Sequence, residues 1–232
     1  MSVPVDLAMR VSLGMPPVRE TVGAAAYRLL RDGILRGHIP MGTRINELEL
    51  SGAWKVSRTP IRDALRRLEA EGLVQAVPGR GVIVPRISLG EADELYELRE
   101  VLEARAARRA AERAPSDLHG RLSALIKAFG TALKQNDVER LNAVDSDLHT
   151  AISAASGNAR LERSIDTIRA QVLQVRLRTM RQRGRPAKSF REMAKLTAAI
   201  HSRNGTRAEA AMREHLSSLR ADLPSVFQAV EA

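Results

Sequence analysis

The spacing of apolar side chains divides the chain into two blocks of helices with a short strand-rich segment between them. In the first block, apolar residues recur every three or four positions over 22–36 and 57–69, which predicts two short helices, and a further short helix is predicted between them, from residue 46 or 47 to about 54. Two β-branched runs follow at 73–77 and 82–84, with a tight turn of sequence PGRG between them. Beyond residue 87 the helical spacing returns and predicts six longer helices, at 88–113, 117–135, 137–156, 159–183, 189–203 and from 206 onward. We therefore expect a mainly α protein, in which three helices and a β-hairpin are followed by an antiparallel helical bundle.

The helix predicted at 57–69 separates apolar from basic side chains. One side carries the stripe Ile61, Leu65 and Leu68, and the other side carries one arginine per turn: Arg58, Arg62 and Arg66. A guanidinium group pairs bidentately with O6 and N7 of guanine, or binds phosphate. Taken alone, such a helix is most often only a solvated surface. Here a helix and a turn precede it and a hairpin with a basic tip follows. We therefore predict a winged helix-turn-helix that enters the major groove of double-stranded DNA.

Residues 22–86 resemble the amino-terminal winged helix of the GntR family of bacterial transcription regulators. The resemblance is carried by LRDGILRG at 30–37, GTRINE at 42–47, VSRTPIRDALRRL at 56–68, EGLV at 71–74 and GRGV at 79–82. It implies that Arg58, Thr59 and Arg62 contact the operator, and that the wing is formed by Gly79, Arg80 and Gly81. Two positions depart from the family: Lys55 replaces a usual glycine, and Leu48 stands where some members carry another DNA-contacting arginine.

Within the predicted bundle, two residues suggest a ligand site. Asp145 and His149 are four positions apart on one helix, so their side chains can reach the same point. His215, on the last long helix, is a candidate third partner. A carboxylate oxygen and imidazole nitrogens suit zinc, nickel or manganese. The alternative is a hydrogen bond along one helix face, which is the commoner role of such a pair.

The second half of the chain resembles the FCD effector-binding domain found in the FadR-like branch of the GntR family. The matching residues are LYELREVLE at 95–103, Asp145 with His149, GNARL at 157–161 and the segment 208–216. By this resemblance Arg99 faces the cavity and pairs with an effector carboxylate, although Glu103 at i+4 is an equally available salt-bridge partner. Arg169 and Arg176 are further candidates, and the pattern does not distinguish which arginines face inward.

Metal-binding members of the family place one aspartate and three histidines in the bundle. Asp145, His149 and His215 match three of these positions, and Met193 occupies the fourth. A thioether is a poor ligand for a borderline divalent ion. The resemblance therefore implies an effector site at Arg99, Asp145, His149 and His215, with a divalent metal (Zn, Ni or Mn) held by three ligands and more weakly than in those members.

The composition shows an excess of basic over acidic residues, and it excludes the sites that require cysteine. The chain contains no cysteine, which excludes disulfides and thiolate metal sites. Its formal net charge of +10 suggests a polyanionic partner, but the excess divides equally between 1–86 and the remainder and so does not locate that partner. Residues 1–19 lack the pattern of a signal peptide, and no segment is apolar enough to span a membrane. We expect a cytoplasmic protein with a flexible leader at 1–19, a DNA-binding domain at 20–86 and an effector-binding and dimerisation domain at 87–232.

These observations predict a ligand-responsive transcription regulator rather than an enzyme. We expect a repressor that binds a near-palindromic operator as a homodimer and responds to a small organic acid. Two alternatives remain open. One is a metal-dependent hydrolase that uses Asp145, His149 and His215, although no nucleophile with its base is visible. The other is a DNA-binding protein indifferent to sequence, which binds through charge alone.

Overall fold

A computed structural model describes residues 21–35 and 37–228. The chain forms two compact units, one ending at Ile87 and the other beginning at Ser88. The leader predicted at 1–19 lies outside the described residues. Among the helices that are described, none is both long enough and apolar enough to cross a membrane.

The first unit contains three helices and a small sheet. Its elements are α1 (Val22–Leu35), β1 (Arg44–Ile45), α2 (Glu47–Trp54), α3 (Arg58–Ala70), β2 (Gln75–Val77) and β3 (Gly81–Ile83). Leu30 from α1 is fully buried together with Ile61 and Leu68 from α3, so the predicted stripe of α3 forms the core of this unit. The strands are antiparallel in the order β1-β3-β2, and Ile83 lies between Arg44 and Gln75. The predicted winged helix-turn-helix is thus observed.

The turn between α2 and α3 contains a strained residue. Lys55 ends α2 with φ of +54°, in the left-handed region, where a Cβ atom is unfavourable and glycine is preferred. Val56 N–H then bonds to the carbonyl of Ser51 at 3.2 Å, which closes the turn. Lys55 therefore occupies a position where glycine would relieve backbone strain.

The second unit is a helical bundle. Its helices are α4 (Leu89–Arg113), α5 (Leu118–Gln135), α6 (Val138–Ala155), α7 (Ala159–Thr179), α8 (Arg185–His201), α9 (Gly205–Ala221) and α10 (Leu223–Gln228). At the start of α4, Ser88 and Glu91 form a reciprocal capping box. The mainly α fold predicted from the sequence is confirmed.

The predicted boundary between α7 and α8 was wrong by about four residues. Helix α7 ends at Thr179 rather than near 183, and α8 begins at Arg185 rather than at 189. Gly184, with φ of +80°, reverses the chain immediately before α8. Pro186 then falls in the first turn, where its missing N–H costs no hydrogen bond. A Gly-x-Pro run that resembles a loop is therefore the start of a helix.

Helix α4 is the central helix of the bundle, and it packs against α6, α7, α8 and α9. Its inward face contains small residues that let its neighbours approach closely: Ala104, Ala107, Ala110 and Ala111 are all buried. The same helix also buries the charged side chains of Arg99 and Glu103. Burying a charge costs free energy unless the charge is paired, so we expect these two side chains to have charged or polar partners inside the bundle.

Candidate functional site

The basic face predicted on α3 is open to solvent. Arg58, Thr59, Arg62 and Arg66 are all exposed along α3, whereas the apolar stripe of the same helix is buried. The wing residues Gly79, Arg80 and Gly81 are also exposed, and both glycines have positive φ, as a tight hairpin turn requires. Arg80 N–H donates to the carbonyl of Val77 at 3.0 Å and closes this turn. The first unit therefore presents a basic helix and a basic loop to solvent.

Two of these arginines share one carboxylate. Arg62 donates to Glu47 Oε2 through Nε at 3.3 Å and through Nη2 at 3.1 Å, and Arg58 Nη2 lies 3.5 Å from the same oxygen. The side chains of Arg58 and Arg62 nevertheless remain 55% and 49% exposed. The hydrogen bond from Arg62 holds the pKa of Glu47 below its usual value. The sequence contained no periodic signal for this pairing, because Glu47 belongs to the preceding helix.

In the second unit, the structure brings three of the predicted residues together. Asp145 and His149 project from α6 and His215 from α9, and all three are buried. One ligand atom from each lies within 4.8 Å of the others. The centres of the two imidazole rings are 5.4 Å apart. Because α6 and α9 are far apart in the chain, only their packing around α4 creates this cluster.

Each imidazole is oriented by a carboxylate. His149 Nδ1 lies 2.5 Å from Glu103 Oε2, and His215 Nδ1 lies 2.8 Å from Glu192 Oε2. A carboxylate accepts a proton donor, so Nδ1 carries the hydrogen and Nε2 presents its lone pair. Neither Nε2 atom has a hydrogen-bond partner in the part of the chain that the structure describes. Burial lowers the pKa of His149 to about 4, so this ring is neutral at pH 7. Metal-ligating histidines are oriented in the same way.

Three buried arginines surround the histidines. Arg99 donates through Nε to Glu103 Oε1 at 2.7 Å, but its Nη1 and Nη2 groups have no partner among the described residues. Arg176 Nη2 lies 2.5 Å from Asp145 Oδ2. Arg169 donates to Thr150 Oγ1 at 3.0 Å and to the Ser146 carbonyl at 2.8 Å. Arg169 and Arg176 of α7 therefore both face inward, and the salt bridge between Arg99 and Glu103, one of the two alternatives for Arg99, uses only its Nε group.

The carboxylates of this cluster are held in their charged form. Burial by itself would raise the pKa of Asp145, but the Arg176 guanidinium and the two histidines outweigh it, and the net pKa lies far below the usual range. Glu103 follows the same balance, with Arg99 and His149 as the groups that lower its pKa. Both carboxylates are thus anions at neutral pH, although they are buried.

The donor set of Asp145, His149 and His215 suits a divalent ion with open positions. Neighbouring ligands of a tetrahedral zinc ion lie about 3.4 Å apart, since each bond is about 2.1 Å long, so atoms that are up to 4.8 Å apart need to approach one another by up to about 1.4 Å. Two histidines and one carboxylate are a known metal-binding combination. Met193 is fully buried and supplies no suitable fourth ligand. The residues therefore fit a three-ligand site, in which Arg176 competes for Asp145.

The cavity beside this cluster is small. It is about 10 Å³ in volume, enough for a single water molecule. Its lining residues are Asp145, Arg176, Thr179, Met180, Ser189 and Leu219. A larger ligand therefore has to displace side chains from α7, α8 or α9. Glu192, which orients His215, was not predicted, and the only available signal was its position next to Met193.

Comparison with known proteins gives matches across both units. The model of the bacterial regulatory proteins of the gntR family matches residues 22–84, and the model of the FCD domain matches residues 94–218. The uncharacterized HTH-type transcriptional regulator YdfH of Escherichia coli O6:H1 is 27% identical over 213 residues, or 92% of each chain. The HTH-type transcriptional repressor RspR of Escherichia coli K12 is 26% identical over 90% of this chain and 92% of its own. Among solved structures, E. coli McbR/YncC has a TM-score of 0.78 at 21% identity and shares the fold, covering 90% of this chain and 99% of its own.

Proposed function

The chain belongs to the GntR family of bacterial regulatory proteins and has an FCD domain as its second half, and from this premise we propose that it is a ligand-responsive repressor. It binds a near-palindromic operator as a homodimer, and a small carboxylate bound in the helical unit changes its affinity for DNA. Members of this family are transcription regulators and not enzymes, so the metal-dependent hydrolase is set aside. A repressor of bacterial operons acts in the cytoplasm. The name of the relative RspR supports repression as the sign of regulation.

The observation that best supports DNA recognition is that the arginine face of α3 is exposed, while the apolar stripe on the other side of the same helix is buried. Arg58, Thr59, Arg62 and Arg66 offer donors to base edges and phosphates without disturbing the core. In a twofold dimer, two such helices would enter successive major grooves about 34 Å apart. Arg80 at the wing tip would reach phosphate or the minor groove.

A homodimer is supported by exposed apolar residues on the bundle. Leu98 and Val101 lie about one turn apart on α4 and are 51% and 55% exposed. Two large aliphatic side chains on one helix surface suit contact with a second copy of the chain. Sedimentation velocity tests the dimer, and Leu98→Glu should shift the protein towards the monomer.

A carboxylate effector is supported by the unsatisfied donors and the charge of the buried cluster. The Arg99 Nη1 and Nη2 groups form one edge of a guanidinium that can hold a carboxylate bidentately. Arg99, Arg169 and Arg176 face two buried carboxylates, Glu103 and Asp145. The fourth buried arginine, Arg185, is paired with Glu192, so one positive charge is left over while His149 is neutral. One monoanionic carboxylate would balance this charge. Since the cavity holds only about one water molecule, such a ligand would select a more open arrangement of the bundle.

A divalent metal would be held by Asp145, His149 and His215. When bound, it would supply a positive charge to which an effector carboxylate could coordinate. Glu103 and Glu192 would keep the two Nε2 atoms directed at the ion by fixing the opposite ring nitrogens. With zinc, nickel or manganese, we expect weaker binding than at a four-ligand site because Met193 replaces a histidine. Elemental analysis of the purified protein and titration calorimetry with each metal test this assignment.

The experiment that tests the regulator begins with selection of operator DNA. The full-length protein is incubated with a pool of random duplexes, and enriched sequences are measured by fluorescence anisotropy against excess genomic DNA. A regulator retains one site under this competition, and enrichment of a twofold-symmetric sequence supports the proposal. Equal loss of binding to all sequences would instead support the alternative, in which the protein binds DNA through charge alone and without regard to sequence.

The effector is tested by adding a panel of small mono- and dicarboxylates to the complex with operator. Release of DNA by one of them is the expected result. The same acid should raise the thermal midpoint of the free protein, and Arg99→Met should abolish both effects. If the acid acts equally on Arg99→Met, the effector does not bind at Arg99.

A further inference from the structure

The Arg58 and Arg62 side chains that are proposed to read DNA are already held in one arrangement in the free protein. Glu47 lies in the first turn of α2, and its Oε2 accepts from Arg62 Nε and Nη2 and also faces Arg58 Nη2. The three side chains are contributed by the two helices of the helix-turn-helix. Their geometry therefore depends on how α2 and α3 cross, which the buried residues of both helices set.

Because Glu47 binds one edge of the Arg62 guanidinium, only the other edge can donate to a base of DNA. Nε and Nη2 form the side edge of the guanidinium group, and both donate to Glu47. The hydrogen bonds of Arg62 to the described residues all go from Nε and Nη2 to Glu47, so the end edge, made of Nη1 and the second hydrogen of Nη2, is left for another acceptor. Two parallel N–H groups on one edge match the O6 and N7 acceptors of guanine. Because arginine otherwise has many rotamers, a side chain held in advance loses less freedom when it binds.

The same carboxylate changes the charge that the helix presents. Arg58, Arg62 and Glu47 together carry +1, whereas the arginines alone would carry +2. Binding to arbitrary DNA depends mainly on charge and on release of counterions, so a carboxylate at this surface weakens it. Binding to a cognate guanine depends on geometry, which the carboxylate improves. Attraction to the right sequence and repulsion from the wrong one are both needed for specificity.

We propose that Glu47 is a positioning residue that sets DNA specificity, by holding Arg62 and Arg58 for base recognition and by opposing binding to arbitrary sequences. This inference rests on the proposed function, since it requires that α3 reads DNA. It assigns a role in recognition to an acidic residue that would itself be repelled by phosphate.

The test compares Glu47→Gln with Glu49→Gln in the full-length protein, on an operator selected with the wild type and on a scrambled duplex. Glu49 is an exposed carboxylate in the same turn, and its contact is with Asn46 Nδ2 at 2.8 Å, so its variant loses the same charge without touching the arginines. For Glu47→Gln, the ratio of cognate to scrambled affinity should fall at least about fivefold, the lower end of what one bidentate base contact contributes. On scrambled DNA the slope of log affinity against log salt should steepen by up to about 0.9.

A second variant separates the effect of the position of the carboxylate from the effect of its charge. Glu47→Asp keeps the negative charge but shortens the side chain, so its salt slope should match the wild type while the affinity ratio still falls. This variant also serves if Glu47→Gln unfolds. The inference is overturned if Glu47→Gln and Glu49→Gln show the same affinity ratio. Failure of the wild type to select any sequence would instead refute the regulator proposal, so the two failures are distinguishable.

Discussion

Acidification from pH 7 to pH 5 should destabilise the second unit, because His149 resists protonation in the folded protein. Burial lowers the pKa of His149 from 6.5 to about 4. In the unfolded chain the same ring has its ordinary pKa. Between these two values the unfolded state binds a proton that the folded state does not, and the free energy of unfolding falls as pH falls. The effect is absent above about pH 7 and is complete below about pH 4.

The size of the loss follows from the two pKa values of His149. A shift of 6.5 to about 4 corresponds to about 3 kcal/mol when fully expressed, and to about 2 kcal/mol between pH 7 and pH 5. The buried carboxylates do not obscure this range. The pKa values of Glu103 and Asp145 are lowered, so their stabilisation is present above the ordinary carboxylate pKa and is lost only at more acidic pH. The histidine therefore dominates the slope above pH 5.

Urea unfolding in the presence of a chelator measures this loss without interference from metal. Trp54, the single tryptophan, lies in the first unit, so its fluorescence reports on that unit alone. Circular dichroism at 222 nm is dominated by the longer helices of the second unit. We expect the dichroism transition to shift to lower urea at pH 5, and His149→Gln to remove most of that shift. A dichroism transition that is unchanged at pH 5, or a full shift retained by His149→Gln, would refute the reasoning.

Three further changes test other parts of the structure. Arg62→Ala should weaken binding to the selected operator by about 5- to 100-fold in anisotropy titrations while the thermal midpoint stays nearly constant, because the side chain is half-exposed; equal weakening on all sequences would make it a phosphate contact. Lys55→Gly should stabilise the first unit by about 1 kcal/mol in fluorescence-monitored urea unfolding, because glycine tolerates the positive φ; a loss of stability would contradict the strain argument. Met193→His should tighten zinc binding roughly tenfold or more by calorimetry, and no change would mean that this side chain does not face the cluster.

The parts of the fold that were predicted correctly have local causes. The stripe of α3 repeats every three or four residues and is buried as expected, and the capping box of Ser88 and Glu91 begins α4. The boundary between α7 and α8 was wrong because Gly184 and Pro186 are compatible with a loop and also with the first turn of a helix. Packing of α8 against the bundle decides between these two structures, and that information is not local.

The candidate sites divide in the same way. Asp145 and His149 were predicted together because four residues on one helix place two side chains at one point. Their partners come from other helices: Glu103 from α4 and Arg176 from α7. Glu47 likewise reaches Arg62 only because α2 crosses α3 within the helix-turn-helix. None of these contacts leaves a periodic trace in the sequence.

By itself, the amino-acid sequence determined where most of the helices lie, which face of α3 is basic and which residues in the bundle could bind a ligand, because each follows from side chains a few positions apart. The tertiary structure alone decided which charges pair, which donors remain unsatisfied and how small the cavity is. These properties depend on atoms of distant segments approaching within about 3 Å, the range of a hydrogen bond. The cost of desolvation also depends on the tertiary structure, since a buried charge is stable only beside the partner that packing brings to it.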